Sequence, residues 1–419
     1  NVSFDPAADG FGLSWSPDGR HLVFVSRRNG NFEIYKVEVG GGELADVPAA
    51  ASLTWSPDGV HVAILPPDGG PVLILDTSAA VAWDLSESTV TGSLKWSANG
   101  QWITFVSTAE GAAHGYIASG TGGETIKLHG VLAAGGGPTW AGDGSRVAYA
   151  SDSTGTAEIY IARLGLDVAQ VRIDTVARAS ASAVRATWPS WSPTADRIAY
   201  LSDRDGGGLF ISRLGTDGVS FVDSTIAGPF DVSPIGDVTA ISWSPLGSRL
   251  YTLSGADDAA ELTVVNGADG SSRRWPGYPI VGAPAWAGEG QLLIVSNRTG
   301  DDEIYRIELP DGEPQNLSNH PGKDGLPRNA PALGAVVFVS QRDGEGDVYA
   351  ARFTDGAVVR LTGHESLMTS LHWAGSTERL YFTAERGGTT RLSEHGFQRM
   401  TESASRDWFP AWSPSVGGP

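Results

Sequence analysis

Apolar runs of strand length and polar, glycine-bearing segments alternate along this chain from end to end, always in the same order. An apolar segment closes on a tryptophan, a Pro-Asp-Gly type turn follows, and the chain returns through a run such as His21-Leu-Val-Phe-Val-Ser26. Next come a polar turn with glycine and an aromatic, β-branched stretch such as Glu33-Ile-Tyr35 or Glu158-Ile-Tyr160. Another glycine turn and a short run such as Val358-Val-Arg-Leu361 complete the unit. Runs of this length between turn formers predict four strands joined by tight turns. No helix-period segment of useful length interrupts them.

The unit recurs with anchors at Trp15, Trp55, Trp96, Trp140, Trp191, Trp243, Trp286, Trp373 and Trp412. In the one double-length gap, Ala330-Pro331-Ala332-Leu333 aligns with Ala283-Pro284-Ala285-Trp286, which makes Leu333 an anchor with its tryptophan replaced. Successive anchors then lie 39 to 52 residues apart without a break. Four strands of about six residues with their turns fill ~40 to 45 residues, the length of a propeller blade. The expected fold is therefore all-β: a single β-propeller over residues 1–419 with four-stranded antiparallel blades, nine in number, with eight as the alternative. The strand at Trp412 is a terminal inner strand, and the ring is expected to close near the junction of Trp412 and Trp15. Each tryptophan is expected to fill the wedge between neighbouring blades.

Ser14-Trp15-Ser16-Pro17-Asp18-Gly19-Arg20, followed by Ser26 to Tyr35, resembles the WD40-like repeat of the TolB-type propeller. The second half recurs at Ser151 to Tyr160, Ser296 to Tyr305, Ser340 to Tyr349 and, one residue shorter, Ser202 to Phe210. Similar repeats occur in the propellers of the prolyl oligopeptidase and tricorn protease families. The resemblance implies a fold far more than a function, since these propellers serve as periplasmic scaffolds and as enzyme gates. Nine repeats exceed the six of TolB itself and no α/β domain is expected before the first repeat, so TolB's partners are not carried over. No Gly-x-Ser-x-Gly elbow is present and no hydrolase domain is expected after Pro419, so peptidase activity is not carried over either.

Charge narrows the partners. Against 29 Lys and Arg stand 48 Asp and Glu, a net of −19, which repels a phosphate backbone and excludes nucleic acid as an expected partner. The longest apolar stretches, such as Val72 to Leu75, are far too short for membrane insertion, although peripheral association with a membrane complex fits. With no cysteine, disulfides and thiolate chemistry are absent, and stability rests on packing. A chain that begins at Asn1 rather than Met suggests a removed targeting peptide and a periplasmic or extracellular location.

The sequence offers no catalytic residue, metal site or cofactor motif. None of the eight histidines forms a ligand-spaced pair. His21 and His61 lie six residues after their anchors, where other repeats carry Trp102, Arg146, Arg197, Arg249, Leu292 and Arg379, a tolerance that reads as a surface strand edge. Acidic turns such as Ser202 to Gly206 and Asp301-Asp302-Glu303 lack a full calcium loop and read as turn formers. The triple glycines sit in turns and not in phosphate loops, and the sequons at Asn1, Asn297 and Asn316 carry no weight. What remains is the set of varied loops that lead into each anchor strand, with the extra length of the two longest repeats placed around Val176 to Trp188. Among these residues Asp324, Arg328, Arg406, Asp407 and Trp408 are the leading candidates for binding a protein partner or for self-assembly. The expected function is a non-catalytic binding scaffold; the alternative is a lyase or hydrolase type enzyme with its site at the channel mouth.

Overall fold

The computed structural model describes residues 9–16, 21–26, 33–38, 52–65, 71–76, 81–85, 90, 94–123, 125–165, 172–178, 184–215, 221–230, 238–255, 259–344, 346–362, 367–374, 379–386 and 389–396. Among them the chain forms nine antiparallel sheets, each built from strands consecutive in sequence. Seven have four strands; the first and the last show three. Helix is limited to the 3-10 turns Arg204–Gly206 and Pro331–Leu333 among the described residues.

Within each sheet the second and third strands form the most regular pair. Arg146–Ser151 and Glu158–Leu164 stay in register from Arg146↔Arg163 to Ser151↔Glu158, and Gln291–Ser296 pairs with Glu303–Glu308 in the same way. These strands read as continuous apolar runs because both faces are covered. All six residues of Arg146–Ser151 are buried.

Two compact units divide the chain. One, Asp5–Pro279, holds the first six sheets; the other consists mainly of Ile280–Pro419 and holds the last three. In the first unit, Ala141, Ala148 and Ala150 of the fourth sheet face Trp191, Ile198, Tyr200 and Phe210 of the fifth. The opposite face of the fourth sheet carries Val147, Tyr149, Tyr160 and Leu164, packed on Trp102, Ile117 and Leu128 of the third. Small residues on one sheet thus admit large ones from the next, which lets interior packing reach crystal-like density. The second unit repeats the scheme, with Leu293, Ile304 and Leu317 of the seventh sheet against Val336, Phe338 and Tyr349 of the eighth.

The first strands end on the anchors as expected in the first seven sheets: Asp9–Trp15, Ser52–Trp55, Lys95–Trp96, Thr139–Trp140, Ala186–Trp191, Val238–Trp243 and Ala285–Trp286. The eighth sheet differs from the sequence alignment. Its first strand is Asp324–Ala330, and Asn329 pairs with Val336 just as Trp191 pairs with Ile198, while Leu333 lies in the 3-10 turn beyond the strand. By register Asn329 holds the anchor's place, and Asn329-Ala330-Pro331 stands where other repeats have Trp-Ser-Pro. The length of the connection decides this, because six residues separate the paired positions in both sheets.

The extra length of the long repeats goes partly into their fourth strands. Ile173–Arg178 and Phe221–Phe230 close the fourth and fifth sheets with 6 and 10 residues. Described fourth strands elsewhere have 2 to 4.

Candidate interaction site

Polar side chains at recurring positions make one frame. Each anchor tryptophan from the third to the sixth sheet donates its indole N–H to the carbonyl just before the preceding anchor: Trp96 to Thr54 at 3.1 Å, Trp140 to Lys95 at 2.9 Å, Trp191 to Thr139 at 3.1 Å and Trp243 to Ser190 at 3.1 Å. The indole is therefore a wedge with a directional bond, which suits a ring that is apolar at one end and a donor at the other. The serine after the anchor closes the turn. Ser16, Ser56, Ser97, Ser192 and Ser244 are buried, and their hydroxyls accept the N–H of His21, His61, Trp102, Arg197 and Arg249.

The position six residues after the anchor is not the surface edge that its tolerance suggested. His21 lies tilted beside Trp55 with ring centroids 6.4 Å apart, His61 stacks on Trp96, Arg146 lies 5.0 Å from the Trp191 ring and Arg197 5.6 Å from that of Trp243. His61 and Arg146 are each 8% exposed. Histidine and arginine interchange here because both offer a flat face to the next sheet's indole.

The acid that opens the third strand is also committed. Glu158 accepts Arg178 and Thr154; Glu303 accepts the Ser318 hydroxyl at 2.7 Å and the His320 N–H at 3.0 Å; Asp347 accepts the Thr362 hydroxyl at 2.9 Å and Arg360. Each ties the third strand to the residues that follow it, so the acids of the Glu-Ile-Tyr type stretches hold the sheet together.

Of the five candidates, two are described. Asp324 opens the first strand of the eighth sheet with its side chain fully buried, paired with Arg342 at 3.2 Å. Burial holds its carboxyl above the usual aspartate value, with Glu303 adding to the effect, while Ser340, Ser318 and the Arg342 guanidinium pull the other way. Burial, which penalises the charged carboxylate, is the largest of these effects. Arg328 is half-buried and donates to the carbonyls of Leu371 at 3.0 Å and Pro327 at 2.9 Å. Lys95 does the same in the first unit, reaching the Pro138 carbonyl of the next sheet at 3.4 Å. Both carboxylate and guanidinium are thus engaged in joining strands. Arg406, Asp407 and Trp408 lie outside the described residues.

The same stretch, Lys323 to Arg328, holds two residues that were not among the five leading candidates. Lys323 has 67% of its side chain exposed, and Leu326 is 36% exposed at φ +53°. Leu326 sits before Pro327 at a bulge, and Trp188 sits before Pro189 at the matching bulge of the fifth sheet with φ +56°. A left-handed bulky residue before proline is strained, and such strain clusters where a side chain is aimed for use. The signal was available as a shared large-residue–Pro step, Trp188-Pro189 and Leu326-Pro327.

No group of three or more His, Asp or Glu able to hold a metal occurs among the described residues. The family described as the TolB beta propeller domain matches residues 240–417. Over that stretch the sequence is similar to a TolB-type β-propeller. No curated protein matches it in sequence. Among solved structures, Porphyromonas gingivalis dipeptidyl peptidase 4 is similar at TM-score 0.56 and 13% identity, over 82% of this chain and 57% of that one. The chain thus spans little more than half the peptidase's length. The Dos1 propeller matches at TM-score 0.53 and 13% identity, over 81% of this chain and 91% of that one. A eukaryotic initiation factor matches at TM-score 0.54 and 10% identity, over 85% and 88%. At these identities the likeness concerns the fold, which is all-β and of the propeller kind.

Proposed function

We propose that this TolB-type propeller is a non-catalytic binding scaffold that acts in the periplasm or outside the cell. The observation that supports it is how the recurring polar groups are used: the tryptophan N–H of the third to sixth sheets, the turn serines, the stacked His or Arg and the third-strand acids are engaged within the chain. Variation is left to the loops, where recognition concentrates on a rigid frame. At the start of the eighth sheet Lys323 and Leu326 are exposed, beside Asp324 and Arg328, whose side chains are bonded within the chain. Among the described residues no helix is long and apolar enough to cross a membrane.

The test compares wild type with Leu326→Ser and Lys323→Glu as immobilised bait for periplasmic or secreted proteins of the source cell. A partner retained by wild type and lost with either variant, at unchanged melting temperature, supports the reading. Capture that neither variant alters removes this loop from it. Turnover of polysaccharide or peptide substrates by the purified chain would assign the enzymatic alternative instead.

A further inference from the structure

The fourth sheet ends in an edge strand of unusual length. Its neighbours in the first unit with short fourth strands leave only 3 to 4 residues at the edge, the usual way of denying a template to other chains. Ile173–Arg178 leaves six, and among the described residues nothing pairs with its open side. Alternation fixes which backbone groups face outward. The Leu164 N–H is directed at Ser145 and the Gly165 N–H at Arg172, so Ile161 and Arg163 point toward the edge strand and bond with Ala177 and Thr175. The N–H and C=O of Val176 and Arg178 are then directed away from the sheet.

The side chains along this edge are self-complementary. Val176 is 41% exposed, an uncommon degree for a valine among the described residues. On either side of it, two residues away, stand Asp174, with 35% of its side chain exposed, and Arg178, with 44%. Two such strands set antiparallel about Val176 bring each Asp174 opposite the other copy's Arg178 and place the two valines face to face. Cross-strand pairs of opposite charge and β-branched pairs are both favourable.

We infer that Ile173–Arg178 is a homotypic docking edge, through which a second copy of this chain adds its own Ile173–Arg178 strand antiparallel about Val176. The inference is independent of what the loop at Lys323 and Leu326 binds. A contact of this size is weak, with a dissociation constant of about 10 to 100 μM.

Sedimentation velocity of the whole chain from 1 to 500 μM, concentrations set on the order of that constant, tests it. A monomer–dimer equilibrium is expected. Asp174→Arg, which sets like charges opposite each other, weakens dimerisation about tenfold; adding Arg178→Asp restores it by swapping the pair. Because Arg178 also bonds Glu158, Val176→Lys serves as a second variant that leaves that bond intact and also lowers association. Thermal melts confirm that every variant is folded. A monomer throughout, a dimer indifferent to Asp174→Arg and Val176→Lys, or a double variant no better than the single one while folded would overturn the proposal.

Discussion

Gly144 shows how closely successive turns approach. Its φ is +68°, and a β-carbon there would lie 2.7 Å from Asn99 Cγ and 2.9 Å from the Asn99 nitrogen of the preceding repeat's turn. Gly100 likewise approaches the preceding turn, where a β-carbon would lie 2.9 Å from the Asp58 carboxylate. Two costs therefore add in Gly144→Ala: the left-handed backbone, about 1 kcal/mol for an L-residue, and a collision with backbone that cannot step aside, together about 2 to 4 kcal/mol. Gly111→Ala separates the two, since φ is +84° there with nothing within 4 Å. Its expected cost is that of the backbone alone, about 1 kcal/mol. Chemical denaturation of both variants measures the difference; equal losses would show that the turns do not constrain each other. Ala195, at φ +58° in the matching turn of the fifth sheet, shows that an L-residue can occupy the slot when its surroundings leave room.

Between elements, the indole bond predicts unequal consequences for chemically identical changes. Trp191 is 7% exposed, donates to Thr139 and carries the Arg146 guanidinium on its face, whereas Trp140 donates to Lys95 from a more exposed position. Trp191→Phe is expected to cost about 2 to 3 kcal/mol, and Trp140→Phe about 1 kcal/mol or less. The shift in denaturant midpoint at constant slope reports both. At the edge of the eighth sheet, Asp324 makes a pH prediction. Its carboxyl titrates above the unfolded value near 3.8 because it is buried, so the folded state holds that proton more tightly than the unfolded one. Its contribution to stability is greatest below pH 3.8 and declines as pH rises through the elevated folded value. The stability of Asp324→Asn relative to wild type should therefore increase from acid to neutral pH, measured by urea unfolding at matched ionic strength; a relative stability that falls over this range would mean that the Arg342 pair outweighs burial. How far such relations were legible in the sequence depended on their period. The recurring tryptophan announced the first seven anchor strands, with Ser-Pro after Trp15, Trp55, Trp191 and Trp243 and small residues or glycine after Trp96, Trp140 and Trp286 setting the turn locally. Asn329 was hidden behind Ala-Pro-Ala-Leu, since an apolar match outweighed the six-residue spacing that governs register. Short fourth strands such as Gln315–Asn316 carry almost no apolar pattern, and the buried Glu303 reads as a turn residue until its partner Ser318 is seen beside it. The stacking position at His21, His61, Arg146 and Arg197 looked tolerant for the reason that makes it structural: what is selected there is a flat face, not a single residue type.

Across the whole molecule, charge sets the response to solvent. With 48 acidic and 29 basic side chains, the net of −19 on 419 residues makes the folded chain repel itself at pH 7. Added salt acts in two opposing ways. It screens that repulsion, and it also weakens surface ion pairs such as Arg172–Asp174 and Lys323–Asp302. Exposed pairs of this kind are worth about 0 to 1 kcal/mol each, and the pairs that join strands, such as Arg146 with Asp143 and the Ala195 carbonyl, are shielded by burial. Relief of the repulsion should therefore outweigh the weakening of the pairs. Raising NaCl from about 0.02 to 0.3 M, which shortens the screening length from roughly 20 to 6 Å, is expected to increase the melting temperature by a few degrees. The same charge predicts least solubility near pH 4.7, where the net charge vanishes. A melting temperature that falls with salt would place more of the stability in exposed ion pairs than their geometry implies, and would move attention from the apolar contacts between sheets to the charged rim of each.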